Sequence, residues 1–201
     1  MTSADISPLG IFEHRPQQEF VGTLIEWLGP SHGHNVIVER RLTGGCRFDN
    51  LNDHLGLAGA FGGVVIGVDG AGLRRGRKIE TLEGRCEVPP LRLWAIAEPS
   101  VEEWMMADPE ALPTALIGLF GADRVGHAAR PGHSNAERTA KARLREWIER
   151  LLGEPVLQGG VEYAADVARQ VRPAHIGRGR NPDLAHFLAA LPGFLEQCAV
   201  R

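Results

Sequence analysis

Cysteine is scarce in this sequence, and its spacing excludes two structural classes. Only Cys46, Cys86 and Cys198 occur among 201 residues, and no two of them form a CxxC pair. A disulfide framework or a structural zinc site needs more closely spaced cysteines than this. The pattern is typical of a protein in a reducing compartment, so we expect a cytoplasmic location.

Long apolar runs and a strong net charge are also absent. No apolar run approaches 18 residues, and the N-terminus has no signal-peptide pattern, so no membrane contact is expected. The formal net charge of −3 gives no overall attraction to nucleic acid, so any such contact needs a local basic patch. The apolar content of 43% and charged content of 23% are ordinary for a globular domain.

Apolar strand patterns alternate with helical patterns through the first 108 residues. This alternation predicts an α/β fold with a mostly parallel four-stranded sheet and helices on both faces. The predicted strands are residues 9–13, a segment that starts at residues 36–38 and fades into residues 39–45, residues 64–69, and residues 93–98. The predicted helices are residues 16–28, 49–60, 73–86 and a segment that starts after Ser100.

Three of the predicted strands end on a carboxylate: Glu13, Asp69 and Glu98. Glu102 and Glu103 follow in the next helix, where Ser100 and Glu103 have the spacing of a capping box. Because parallel strands end at one edge of the sheet, these acids predict a site for Mg²⁺ or Mn²⁺. The alternative is that exposed strand ends are acidic by chance.

The pattern changes after Asp108. Residues 109–134 are rich in proline and glycine and predict a loop or linker, whereas residues 135–201 predict a helical part packed on the α/β core. In this second part, Ser134 and Glu137 have the capping-box spacing for a helix that ends near Leu152. Two more helices are predicted, at residues 161–171 and after the capping residue Asn181.

Lys141 falls on the apolar arc of the first of these helices, beside Ile148 and Leu152. A lysine on a packed face is unusual. One interpretation is that its aliphatic chain lies along the core and its ammonium group reaches solvent. A second is an ion pair with Glu137 one turn earlier. A third is that the ammonium group points toward the sheet edge that carries the strand-end carboxylates. All three interpretations stay open from the spacing alone.

Arg172, Arg178 and Arg180 concentrate positive charge around a loop at residues 173–180. Such a loop is a candidate contact for a nucleic-acid backbone. The alternative is a basic loop that only contacts solvent.

Four segments together resemble a small stand-alone Toprim (topoisomerase–primase) family related to the nuclease half of OLD-type proteins. They are IFE at residues 11–13, VIGVD at 65–69, AIAEPSVEEWMMADPEAL at 95–112 and AKARLREWIERL at 140–151. The third is the most specific. The resemblance implies metal-dependent phosphodiester chemistry, and an ABC-type or SMC-like ATPase as the partner in anti-phage defence.

The resemblance also implies roles for particular residues. Glu13 corresponds to the first-strand glutamate, and Asp69 to the first acid of a D-x-D pair. Glu98, Glu102 or Glu103 would supply the later acids, and Lys141 the lysine of the family's helical block. The catalytic set would then be Glu13, Asp69 and Lys141, with Mg²⁺ or Mn²⁺ bound by the five acids.

The chain departs from this family at two positions, where Ala71 and Gln17 stand in place of expected acids. Two hypotheses follow: a Mg²⁺- or Mn²⁺-dependent nuclease, or a catalytically silent subunit of an ATPase complex. A third, phosphorylation of a nucleotide or sugar, would rest on the glycines of VIGVDGAG. However, Leu73 and Arg74 follow Gly72 where a P-loop has Lys-Ser/Thr.

Overall fold

The computed structural model describes residues 4–44, 48–131, 139–177 and 181–200. The strands are β1 (Ala4–Ile6), β2 (Leu9–Phe12), β3 (His34–Val36), β4 (Glu39–Leu42), β5 (Val64–Asp69) and β6 (Arg92–Ala97). The helices are α1 (Arg15–Leu28), α2 (Phe48–Leu55), α3 (Arg75–Glu83), α4 (Val101–Met105), α5 (Ala111–Phe120), α6 (Ala140–Leu152), α7 (Ala164–Ala168) and α8 (Pro182–Ala199).

The main sheet has four parallel strands in the order β4-β2-β5-β6. This confirms the predicted α/β class and the parallel four-stranded sheet. The first five residues of β5 are buried because both faces of the sheet are covered by helices, which explains its continuous apolar sequence. A second, two-stranded parallel sheet joins β1 and β3.

The predicted second strand, which starts at residues 36–38 and fades into residues 39–45, is divided between the two sheets. Val36 belongs to β3, which pairs with β1, and the main sheet takes the next segment, β4, instead. The sequence of β4 is ERRL, with little apolar character, because an edge strand is half exposed and needs few apolar residues. Arg40 therefore lies in the part of the predicted strand where the apolar pattern had already ended.

The predicted loop at residues 109–134 is wrong in its first half, where α5 forms. Ala111, Leu112, Ala115 and Leu116 are the buried face of this helix, and α5 packs against α7. Pro113 does not interrupt α5, because the N–H that proline lacks has no intrahelical partner in the first turn of a helix.

The C-terminal helices pack on the same core as the sheet. Helix α8 lies against β6, α7 against α1, and α6 against α4. The rings of Trp104 and Phe187, from α4 and α8, lie 5.4 Å apart. Asn181 caps α8 as predicted, because its Oδ1 accepts from the N–H of Leu184 at 3.0 Å.

The helix predicted over residues 161–171 is shorter than expected: a 3-10 turn at Val161–Tyr163 precedes α7. The predicted capping residues Ser134 and Glu137 lie outside the described residues. Helix α6 begins at Ala140, and the Thr139 side chain accepts from the N–H of Ala142 at 3.2 Å. Within the described ranges, no helix has the length and apolar content to cross a bilayer.

Candidate functional site

The carboxyl ends of β2 and β5 bring Glu13 and Asp69 together. Phe12 pairs with Gly67 in the parallel register, so the residues that follow each strand meet at one sheet edge. The N–H of Asp69 donates to Glu13 Oε2 at 3.1 Å. The Glu13 side chain is only 12% exposed. The predicted convergence of these two acids is therefore confirmed.

Gln17, in the first turn of α1, joins the two strand ends. Its Nε2 donates to Asp69 Oδ1 at 2.6 Å. Its Oε1 accepts from the N–H groups of Glu13 at 3.2 Å and His14 at 3.4 Å. The side chain is buried, so these bonds are shielded from water. Gln17 therefore fills the expected acid position with an amide whose oxygen and nitrogen are both hydrogen-bonded.

Helix α4 supplies the third side of the site. The N–H of Val101 donates to Asp69 Oδ1 at 3.2 Å. Glu102 is buried and accepts a hydrogen bond from Ser100 Oγ at 2.6 Å. The predicted capping box is wrong, because the Ser100 hydroxyl is directed to Glu102 rather than to the N–H of Glu103. Ser100 thus orients a site carboxylate.

These surroundings raise the pKa of Asp69 from 3.8 to about 6. Burial is the largest cause, because it disfavours the charged carboxylate. The hydrogen bond from Gln17 lowers the pKa, and the nearby carboxylates of Glu102 and Glu13 raise it. Perturbed carboxyl groups of this kind are common at functional sites.

Asp69, Glu102 and Lys141 line one cavity of about 380 Å³, together with His14, Arg15, Pro16, Gln17, Val101 and Val161. Lys141 reaches this cavity from the start of α6, so the predicted meeting of the lysine with the acidic edge is confirmed. Its predicted place on the packed face is wrong, because Lys141 is exposed. The buried stripe of α6 contains Arg143 in addition to its apolar residues.

Glu103 lies apart from the cavity, which corrects its predicted grouping with the other acids. Its carboxylate forms ion pairs with Arg143 of α6 and with Arg130, at 3.5 Å in the latter case. The side chains of Glu103 and Arg143 are 5% and 10% exposed. Glu103 therefore has a structural role. The signal that could have indicated it is Arg143, an arginine among the buried residues of α6.

Glu98 also lies away from the cavity, although it directly follows β6. Its Oε2 would be 2.3 Å from a Cβ placed at Gly70, so the carboxylate lies on the turn after β5. Burial raises the pKa of Glu98, and so does the nearby carboxylate of Asp183 at the start of α8. The backbone of Gly72 and the charge of Lys78 lower the pKa. Glu98 therefore lies against the turn at Gly70 and does not line the cavity of Asp69.

Arg172 forms ion pairs with acidic residues of its own chain. Its guanidinium pairs with Glu110 and lies 3.9 Å from Asp108, and its backbone N–H donates to Asp108 Oδ2 at 2.9 Å. Asp108 has no exposed surface and also contacts His175 Nδ1 at 3.1 Å. Arg172 does not line the cavity of Asp69.

The other two arginines predicted to contact nucleic acid, Arg178 and Arg180, lie outside the described residues. The predicted contact of this loop with nucleic acid stays a prediction.

The residues present do not fit the site for Mg²⁺ or Mn²⁺, bound by five acids, that the family resemblance implies. Among the described residues, no three His, Cys, Asp or Glu side chains are grouped so that they could hold a metal ion. Divalent cations of this type prefer oxygen ligands, but Asp69 Oδ1 is already bonded by the Gln17 amide and the N–H of Val101. Ala71 offers no ligand at all.

Comparison of the chain with protein-family models, curated proteins and solved structures found no match. The resemblance to the Toprim family therefore stays a prediction from the sequence.

The raised pKa of Asp69 predicts a pH dependence of stability. Because the folded pKa of about 6 exceeds the reference value of 3.8, the folded protein holds the proton more tightly. The stabilisation is fully present below pH 3.8 and is lost as the pH rises through 6. As the pH rises over this range, the free energy of unfolding of the wild type should fall by about 2 kcal/mol relative to that of Asp69→Asn. This figure allows for the partial exposure of the Asp69 carboxyl group.

Urea denaturation of both proteins at several pH values measures this difference. The asparagine keeps an oxygen that can accept from Gln17 and from the N–H of Val101, so it is a matched control. A difference between the two proteins that does not vary with pH would contradict the prediction.

Proposed function

We propose that this chain is a Toprim-like subunit whose acidic cavity is a hydrogen-bonded structural site without catalytic activity. It would act as a silent partner of an ABC-type or SMC-like ATPase in anti-phage defence. One observation supports this proposal most directly: Gln17 Nε2 donates to Asp69 Oδ1 at 2.6 Å, at the position where the resemblance expects a metal-binding acid.

Rotation of the Gln17 amide, so that its oxygen faces Asp69 as a metal ligand would, is energetically unfavourable. Its Oε1 accepts from the N–H groups of Glu13 and His14. If the amide were rotated, its NH₂ group would face these two donors and leave them unsatisfied. An unsatisfied buried donor costs about 1–3 kcal/mol. The orientation with N–H toward Asp69 is therefore strongly favoured.

The ATPase partner is proposed from the resemblance of the four quoted segments to the OLD-related family. Co-purification of the chain with an ABC-type ATPase encoded beside it would support this part. An ATPase that runs separately from the chain on a sizing column, with and without ATP, would contradict it.

A second candidate function is a Mg²⁺- or Mn²⁺-dependent nuclease. It is favoured by the cavity that Asp69, Glu102 and Lys141 share, and by the bond from the Asp69 N–H to Glu13. Acids and a lysine in one cavity are the groups that phosphodiester chemistry uses. The loss of two expected acids makes this the weaker candidate.

Calorimetric titration of Mn²⁺ into the wild-type protein and Gln17→Glu distinguishes the two candidates. We expect no saturable heat with the wild type and binding of Mn²⁺ at one site with Gln17→Glu. The variant should bind Mn²⁺ at least about tenfold more tightly than the wild type, because a carboxylate replaces the amide donor beside Asp69. The double variant Gln17→Glu/Asp69→Asn is the control and should lose the gained binding.

Saturable binding by the wild type that disappears in Asp69→Ala would contradict the silent-subunit proposal. Metal-dependent cleavage of DNA or RNA by the chain assembled with its ATPase, abolished by the same change, would establish the nuclease instead.

A further inference from the structure

Strand β4 forms an open edge of the main sheet. It pairs with β2 on one side, and no described strand pairs with its other side. The opposite edge of the sheet, β6, has α8 packed against it. An open edge offers backbone donors and acceptors to another strand.

The alternation along β4 shows which backbone groups face outward. Glu39 N–H donates to the carbonyl of Pro8 at 3.0 Å, and Thr43 N–H donates to the carbonyl of Phe12 at 2.9 Å. Because alternate residues bond to the same side, Arg40 and Leu42 direct their N–H and C=O groups away from β2. The N–H of Val38, which also faces outward, is bound by Glu26 Oε1 at 3.0 Å.

The side chain of Arg40 does not leave a free charge at this edge. It crosses α1, where its guanidinium pairs with Glu26 at 2.5 Å and with Glu19 at 3.4 Å. It also donates to Thr23 Oγ1 at 3.3 Å. Two arginines brought together at the edge would each keep these acidic partners.

Glu39 and Arg41 point to the other face of the sheet, because side chains alternate along a strand. They pair with each other at 2.8 Å, and their side chains are 44% and 46% exposed. Glu39 and Arg41 have opposite charges and lie on either side of Arg40. If a second copy of β4 runs antiparallel beside the first, each negative charge therefore faces a positive charge of the other copy.

We propose that two copies of this chain form a dimer by antiparallel pairing of their β4 strands about a two-fold axis at Arg40. The Arg40 residues of the two copies exchange N–H···O=C bonds, whereas the N–H of Val38 at each end stays bonded to Glu26 of its own copy. Glu39 of each copy then lies directly opposite Arg41 of the other, in a non-hydrogen-bonded pair where side chains are closest.

Two exposed apolar side chains at the edge fit this pairing. Ile37 is 64% exposed and Leu42 is 41% exposed. Leu42 of one copy comes opposite the already buried Val38 of the other, so the pairing removes the exposed surface of Leu42 from water at both ends. The inference does not depend on the proposed function of the acidic cavity, because none of these residues lines it.

Sedimentation velocity over a range of protein concentrations tests the proposal with charge reversals. We expect a dimer for the wild type. Glu39→Arg and Arg41→Glu should each raise the dissociation constant roughly tenfold or more, because like charges then face each other in both pairs. An equimolar mixture of the two single variants should form a heterodimer, since every opposed pair is again of opposite charge.

Arg124→Glu is the matched control, because Arg124 also belongs to an exposed ion pair, with Glu154, away from β4. It should leave the wild-type dimer unchanged. A monomeric wild type at all concentrations overturns the proposal. A dimer that neither reversal weakens also overturns it, because the contact then uses another surface.

Discussion

Glu103→Ala should lower the free energy of unfolding by about 3–5 kcal/mol, because it leaves buried charge without a partner. Arg143 lies on the buried stripe of α6, and its guanidinium pairs with Glu103 across the contact between α4 and α6. Arg130 pairs with the same carboxylate. Burial lowers the pKa of Arg143, whose side chain is 10% exposed.

Denaturation by urea with linear extrapolation measures this loss. The control is Asp166→Ala, which removes an exposed ion pair with Arg169 one helical turn away in sequence. Such a pair should contribute less than about 1 kcal/mol. If Glu103→Ala costs no more than Asp166→Ala, the pair with Arg143 is not a principal contact between the two helices.

The part of the site that follows from sheet geometry could be predicted from the sequence. The apolar runs before Glu13 and Asp69 required buried parallel strands, and parallel strands end together, so the two acids had to meet. Lys141 also reached the acidic edge as one of its interpretations suggested. These predictions depended on backbone topology, which hydrophobic patterns specify well.

The predictions that depended on side-chain direction were less successful. Glu102 and Glu103 are neighbours in sequence, yet one lines the cavity and the other pairs with Arg143. Helix α4 has only five residues, too few for a periodic pattern to show which face is buried. Glu98 directly follows its strand, but its carboxylate lies against the turn at Gly70 and does not line the cavity.

Two secondary-structure predictions differ from the structure because tertiary contacts outweighed local patterns. The polar strand β4 is held in the sheet by its backbone bonds to β2 and by the ion pairs of Arg40. Helix α5 forms despite Pro113 because its apolar face packs against α7. Neither cause is visible in a window of a few residues.

Gly160→Ala should destabilise the protein by about 2–5 kcal/mol, and it should also disturb the cavity. Gly160 has a φ of +90°, and a Cβ at this position would lie 2.1 Å from Ile148 Cδ1 in the core. The positive φ alone costs about 1–2 kcal/mol for a residue with a Cβ. Overpacking against a buried side chain adds about 1–3 kcal/mol.

Gly153→Ala separates the cost of the positive φ from the cost of overpacking. Gly153, at the end of α6, has a φ of +70°, and a Cβ placed there would have no other atom within 4 Å. It should show only the backbone cost of about 1–2 kcal/mol. Equal losses for the two variants, measured by urea denaturation, would mean that the segment at Gly160 moves away from Ile148 without penalty.

Residues 159–161, which contain Gly160, also form part of the cavity wall. The neighbouring Gly159 lies against Lys141, whose Cε would be 3.3 Å from a Cβ there, and Val161 lines the cavity. A shift of this segment away from Ile148 therefore moves the wall that positions Lys141. Because the wall depends on two adjacent glycines with positive φ, the lysine's place in the site depends on backbone conformations that other residues rarely adopt.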